Sequence, residues 1–201
     1  AHGLGRAVAE VHTALARIFP THPADDGVRR ALVGTWMSRA GAAVLTVPRL
    51  AEYRAQVSAA FDDALVSPWP ALQRIHGDLH LGQVMSSPTR GWVLLDFEGE
   101  PLRPLAERRR NDVAIRDVAG MLRSFDYAAG PEPGAPRLEW TTRQRDAFLD
   151  GYAELAGDPR EYSELLTAME LDKAFYEARY EAGNRPDWLP IPLRGIERLV
   201  R

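Results

Sequence analysis

The sequence has 201 residues, 45% of them hydrophobic and 26% charged, with a formal net charge of −3. That balance belongs to a globular chain long enough to bury a core, and the small negative charge excludes a global basic field for nucleic acid or acidic membrane. Cysteine is absent, which excludes disulfides, zinc–thiolate sites and cysteine nucleophiles and fits a reducing cytoplasm.

Leu4, Val8, Val11, Leu15 and Ile18 recur at steps of three and four, one apolar face of a helix ended by Pro20. Val28, Leu32 and Met37 predict a second helix, and Leu50–Val66 a third after Pro48. Ser67-Pro68-Trp69-Pro70 ends the helical stretch. Leu72–His76 reads as a short strand closed by Gly77; Gly91 opens a second apolar run through Phe97, with Ser86–Arg90 as the turn. Residues 72–97 therefore read as a small β-hairpin region in a helical protein. Asp112–Ala128 is predicted helical, with Val113, Val118, Met121, Leu122 and Phe125 on its apolar side, and Gly130–Pro136 a loop. Trp140–Ala156 and Tyr162–Ala182 read as two more amphipathic helices. Pro186, Pro190 and Pro192 predict an extended or irregular tail. No apolar run approaches the about 18 residues of a membrane span. Ala1–Glu10 lacks the basic start and apolar stretch of a signal peptide. Without an initiator Met, the chain is expected to begin inside a longer gene product.

The chemistry concentrates in His76-Gly77-Asp78-Leu79-His80-Leu81-Gly82-Gln83. Asp78 can accept the proton of a hydroxyl as its oxygen attacks phosphorus. Gln83 offers a neutral carbonyl oxygen, which suits a hard cation such as Mg²⁺. Asp96 closes the next apolar run, where a carboxylate can bridge metal and nucleotide phosphates. Glu98 shares its face if the chain stays extended. Bland readings exist for each part. His76 and His80, four apart, outline a zinc pair, although Gly77 disfavours the helix that would align them. Asp96 alone could cap a turn. The combination is far more specific than its parts.

This combination resembles the catalytic lobe of aminoglycoside-phosphotransferase-like kinases, relatives of the eukaryotic protein kinases. The resemblance implies a mainly helical α+β fold, the C-lobe of a protein-kinase-like structure, with a small β-hairpin region carrying the active site. It implies Asp78 as catalytic base, with His76 in the same catalytic loop, and Gln83 and Asp96 as Mg²⁺ ligands for ATP chemistry. It implies Asp117 as a brace for the loop, against a solvated carboxylate as the alternative. Gln83 stands where that family usually has Asn, and the extra methylene moves the carbonyl outward. Arg116–Tyr127, Glu170–Ala174, Tyr176-Glu177 and Trp188–Leu193, together with Asp-Phe-Glu-Gly-Glu-Pro at 96–101, resemble bacterial maltokinases. That implies ATP-dependent phosphorylation of maltose at its anomeric hydroxyl, feeding α-glucan and glycogen synthesis, with trehalose synthase as a partner. The nearest alternative is a glucosamine or aminoglycoside kinase with identical machinery. The alternative of another class is a non-catalytic lobe that docks to trehalose synthase.

A kinase also needs a phosphate clamp. The sequence holds neither a G-x-G-x-x-G nor a Walker loop, and its single lysine, Lys173, falls in a helical segment. Val113-Ala114-Ile115-Arg116 imitates the lysine-bearing kinase motif but follows the catalytic loop. Residues 1–201 are therefore expected to be a C-terminal catalytic lobe, with the N-terminal nucleotide-clamping lobe outside the chain and little turnover without it. Tyr176, Tyr180 and Trp188 are candidate platforms for a sugar's C–H face, with core packing as the alternative. His76 and His80 either brace the loop or touch the sugar. Glu98 and Glu100 either meet a second metal or sugar hydroxyl, or are surface carboxylates. Arg108–Arg110 is either a phosphate contact or a solvated charge run.

Overall fold

A computed structural model describes residues 1–99, 108 and 110–201. Glu100, Pro101, Pro104 and Arg109 lie outside the described residues. The first helix, α1 (His2–Ile18), buries Leu4, Val8 and, among them, His12; it stops at Phe19, which turns extended before Pro20. Next comes α2 (Asp26–Thr46), capped by Asp25, whose side chain accepts from the Val28 N–H at 2.9 Å. The expected helix at 50–66 is divided into a 3₁₀ segment, Pro48–Tyr53, and α3 (Arg54–Val66). Further along the described residues come α4 (Ile115–Ala129), α5 (Ala135–Ala156), α6 (Ser163–Asn184) and α7 (Pro190–Leu199).

Among the described residues the sheet is a single antiparallel pair, β1 (Val84–Ser87) with β2 (Gly91–Leu94), in which Val84 faces Leu94 and Ser87 faces Gly91. The mainly helical α+β architecture with one small hairpin is as the sequence predicts. Two expectations need correction. Leu72–His76 is not a strand: Leu72 makes an isolated bridge to His22 and Gln73 one to Asp112. Those partners come from separate segments, each lending one pair, so no ladder propagates. The tail is not irregular either. Pro186–Trp188 forms a 3₁₀ turn and α7 follows. Its Pro190 sits in the first turn, where a backbone N–H would find no intrahelical partner, so the helix tolerates it, and Ile191, Leu193 and Ile196 bury the inner face.

The long α6 runs through the core. Leu165, Met169, Leu171, Ala174, Phe175 and Ala178 are all buried on it, and it packs against α2, α3, α4 and α7. Helix α1 lies directly on α5. A Cβ at Gly5 would strike the Phe148 carbonyl, and one at Gly151 the His2 carbonyl; glycine at both places lets the two backbones touch. Among the described residues no helix is long and apolar enough to cross a membrane.

Candidate active site

The segment from His76 to Gln83 lies on one face of α4, held at three places. Asp117, in the first turn of α4 and 1% exposed, accepts the His76 N–H at 2.7 Å and the Gly77 N–H at 2.9 Å. One turn on, the Leu79 carbonyl occupies the place of a Cβ at Gly120. Another turn on, Ser124 Oγ accepts the Leu81 N–H at 2.9 Å. Spacings of three and four put all three on one helical face. Burial alone would raise the Asp117 carboxyl. The His12 imidazole bonded to it and the Gly77 N–H outweigh that and hold it below the usual carboxylate range.

His76 is 1% exposed. Its Nε2–H donates to the Leu95 carbonyl at 2.6 Å, which leaves Nδ1 to accept the Asp78 N–H at 3.3 Å. The ring packs on Phe97, centroids 4.8 Å apart. Both ring nitrogens are committed to backbone, so His76 sits behind the loop rather than facing a substrate. The zinc-pair reading fails for the same reason, and among the described residues no three His, Cys, Asp or Glu side chains group to hold a metal. His80 turns its Nδ1 back to accept the Gly82 N–H at 3.0 Å. Burial lowers its pKa against the pull of Asp78, which favours the neutral imidazole.

Asp78 is half-buried, and its Oδ1 receives Lys173 Nζ from α6 at 3.3 Å. Lys173 also stands 5.5 Å above the Tyr176 ring. A cavity of about 30 Å³ adjoins them, bordered by Asp78, Arg116, Asp172, Lys173 and Tyr176. That is room for about two waters. Arg116 spans Asp112 at 2.5 Å and Asp172 at 3.6 Å, while Arg39 reaches Asp172 at 2.6 Å. Burial disfavours the Arg116 charge, but the two carboxylates hold its pKa above the ordinary guanidinium value.

Gln83 and Asp96 meet: Gln83 Nε2 donates to Asp96 Oδ2 at 3.1 Å. The amide oxygen of Gln83 and Oδ1 of Asp96 lie outside that bond, two hard oxygen donors of the kind Mg²⁺ takes. The contact arises because β2 ends at Leu94, two residues short of Asp96. Leu95 N–H then returns to the Gln83 carbonyl at 2.9 Å, and Asp96 adopts φ 59. A non-glycine residue in the left-handed region is uncommon, and Asp is among the few that tolerate it. This corrects the expectation for Glu98. The chain is not extended there, so alternation does not carry Glu98 onto the face of Asp96, and Glu98 is exposed in the turn.

The three aromatic candidates separate. Tyr176 borders the Asp78 cavity. Tyr180 and Trp188 instead flank Arg185, at 5.7 and 4.8 Å, and Trp188 stacks on Tyr127. Sequence reasoning passed over Lys173, Arg39, Arg116, Asp172 and His12. Lys173 carried one signal, as the chain's single lysine. His12 carried another, as an imidazole on the apolar face of an amphipathic helix.

A mainly helical fold that pins a His-Gly-Asp loop to a buried helix carboxylate, with an acid beyond a short hairpin, is a kinase-like fold. Residues 1–166 match the phosphotransferase enzyme family (APH), and the chain belongs to that family. Among curated proteins it is similar to a glucosamine kinase of Streptacidiphilus jiangxiensis, 29% identical over 157 residues, covering 72% of this chain and 34% of the relative. It is also similar to a glucosamine kinase of Mycolicibacterium smegmatis, 32% identical over 135 residues, covering 62% and 34%. Of solved structures, a glucosamine kinase crystal form superposes with a TM-score of 0.87 at 25% identity, over 100% of this chain and 50% of that one. A glucosamine kinase in complex with glucosamine, ADP and inorganic phosphate gives 0.85 at 24% identity, over 98% and 53%. The chain thus aligns with about a third of the curated relatives and about half of the solved chains.

Proposed function

We propose that residues 1–201 are the catalytic half of an ATP-dependent kinase that phosphorylates a sugar hydroxyl, with glucosamine as the favoured acceptor. The observation that carries it is the pairing of Gln83 with Asp96 beside a loop, pinned on Asp117, that presents Asp78. Asp78 takes the acceptor's proton as its oxygen attacks the γ-phosphorus. Lys173 engages Oδ1, which leaves Oδ2 for that hydroxyl. Gln83 and Asp96 would hold Mg²⁺, which when bound neutralises phosphate charge. His76 orients the loop from behind, and Tyr176 offers its ring to the acceptor. The phosphate clamp is assigned to a lobe other than these residues, which contain no glycine-rich phosphate loop.

The relatives support the choice of acceptor. Both curated proteins are glucosamine kinases by name, and they favour the amino sugar over maltose, which the motif resemblance put first. Trehalose synthase as a partner belongs to the maltose reading alone. The test is a substrate panel on the full-length protein: glucosamine, maltose and an aminoglycoside, each with Mg²⁺ and ATP. Glucosamine is expected to exceed maltose in kcat/KM by about a hundredfold, since a polar group unmatched in a built site is strongly rejected. Equal or better use of maltose would reverse the choice of acceptor.

A further inference from the structure

The brace on the catalytic loop does not end at Asp117. His12 Nε2 lies 3.0 Å from Asp117 Oδ2, and His12 Nδ1 lies 2.8 Å from the Tyr152 hydroxyl. Three helices meet in this chain: Tyr152 from α5, His12 from α1 and Asp117 from α4. All three side chains are at most 3% exposed. The carboxylate of Asp117 can only accept, so the hydrogen sits on His12 Nε2. In the neutral imidazole Nδ1 then accepts, and the Tyr152 hydroxyl donates to it. Burial and the Asp117 charge both raise the Tyr152 pKa, so the phenol keeps its hydrogen.

We propose that His12, oriented by Tyr152, is a positioning residue for the catalytic loop and acts through Asp117. It rests on the reading of Asp78 as the base. Oδ2 of Asp117 serves both His12 and the His76 N–H, whereas Oδ1 serves the Gly77 N–H. A carboxylate gripped on both sides has one orientation. Without His12, it can rotate and carry His76 and Gly77 with it. Asp78 follows directly in the chain, and its own N–H rests on His76 Nδ1. At this burial, water cannot replace a lost partner cheaply. The close approach of α1 and α5 at Gly5 and Gly151 brings His12 within reach of Tyr152.

The experiment uses the full-length protein carrying this chain, with three substitutions and two readouts. His12→Ala is expected to lower kcat by about ten- to a hundredfold, the loss of a hydrogen bond to a charged group, with KM for ATP unchanged. His12→Gln, which returns an N–H near the Nε2 position, should recover most of that. Tyr152→Phe should cost about two- to tenfold in kcat, a neutral hydrogen bond. Amide hydrogen exchange at His76 and Gly77 should quicken about tenfold in His12→Ala while α4 and α5 keep their protection. Unchanged kcat and loop exchange in Tyr152→Phe would overturn the proposal, and so would a loss in His12→Ala that His12→Gln does not recover. So would exchange that quickens uniformly through α1, α4 and α5, which would make the chain a stability element only. Activity retained in Asp78→Asn would sink the base assignment instead, and the loop-exchange readout would still decide the brace.

Discussion

Two charged regions of the protein differ in how completely their charges are used. Around Arg123, carboxylates and guanidinium groups pair densely with one another. Arg123 is fully buried and bonds Glu177 at 2.7 Å and also Asp126; Arg198 reaches Asp126 at 2.9 Å and Glu170 at 3.3 Å; Arg145 reaches Glu170 at 2.8 Å. On Asp78 and Asp96 themselves the bonds are fewer and longer: Lys173 at 3.3 Å on one oxygen of Asp78, and a 3.1 Å contact between Gln83 and Asp96. Charge density alone would have chosen the first region as the site. Unspent hydrogen-bonding capacity chooses the second, because a site must keep oxygens for its ligand whereas a buried structural pair cannot leave any unmet.

That contrast is open to direct attack. The largest effect is expected from Asp78→Asn in the full-length enzyme: kcat should fall by about a thousandfold, the scale of a lost general base. Unfolding stability should move by less than about 1 kcal/mol, since the Lys173 pair is partly exposed. A stability loss without a rate loss would erase the distinction between the two regions. Arg123→Met should do the reverse and cost about 3 kcal/mol in denaturant unfolding, because Glu177 and Asp126 lose a buried partner. Substrate affinity per folded molecule should hold. Third in size is Gln83→Asn, which draws the amide N–H back from Asp96; the Mg²⁺ concentration for half-maximal rate should rise about tenfold, as when a supporting contact of a metal ligand is lost.

The smallest expected effect is a pH slope in stability. For Asp117, burial opposes the charge but the His12 contact, with Gly77, lowers the pKa in the fold; for Asp126, burial is likewise outweighed by Arg123 and Arg198. A carboxyl depressed in the folded state stabilises above its unfolded pKa, and that contribution is lost as pH falls through the folded one. Glu177 runs the other way, raised by burial in spite of Arg123. It therefore costs stability at neutral pH and returns it on acidification. Urea midpoints taken from about pH 6 down to about pH 3 should fall, with the two depressed groups outweighing one raised group. A flat or rising profile would show that the two depressed carboxyls do not outweigh Glu177.

Much of the fold was legible because it is local. The step of Leu4, Val8, Val11, Leu15 and Ile18 predicts α1 without knowledge of what covers it, and the chain folds a helix over His2–Ile18. The loop at His76–Gln83 announces itself by residue type, and so does its link to Asp96. What stayed hidden depends on partners far along the chain. His12 means nothing until Asp117, 105 residues on, and Tyr152, 140 residues on, arrive beside it. Lys173 is a lysine in a helix until α6 lays it against Asp78, 95 residues earlier. The strand at Leu72–His76 and the irregular tail failed for a different reason. Local propensity was read correctly, but single bridges to two separate segments replaced the ladder, and Pro190 fell where a helix start accepts it.

Asp96 shows how conformation can restrict an alphabet before chemistry does. With φ at 59, the backbone at this position readily admits glycine, asparagine and aspartate, and penalises β-branched residues most. A saturation library at position 96 would thus be sorted twice. Abundance of folded protein would first retain a handful of residue types, and turnover would then separate Asp from Asn and Gly among the survivors. Only one of the conformationally permitted side chains carries a charge, so the turn that makes this residue awkward to build also leaves it almost no acidic substitute: glutamate has the right group on a backbone that prefers to be elsewhere.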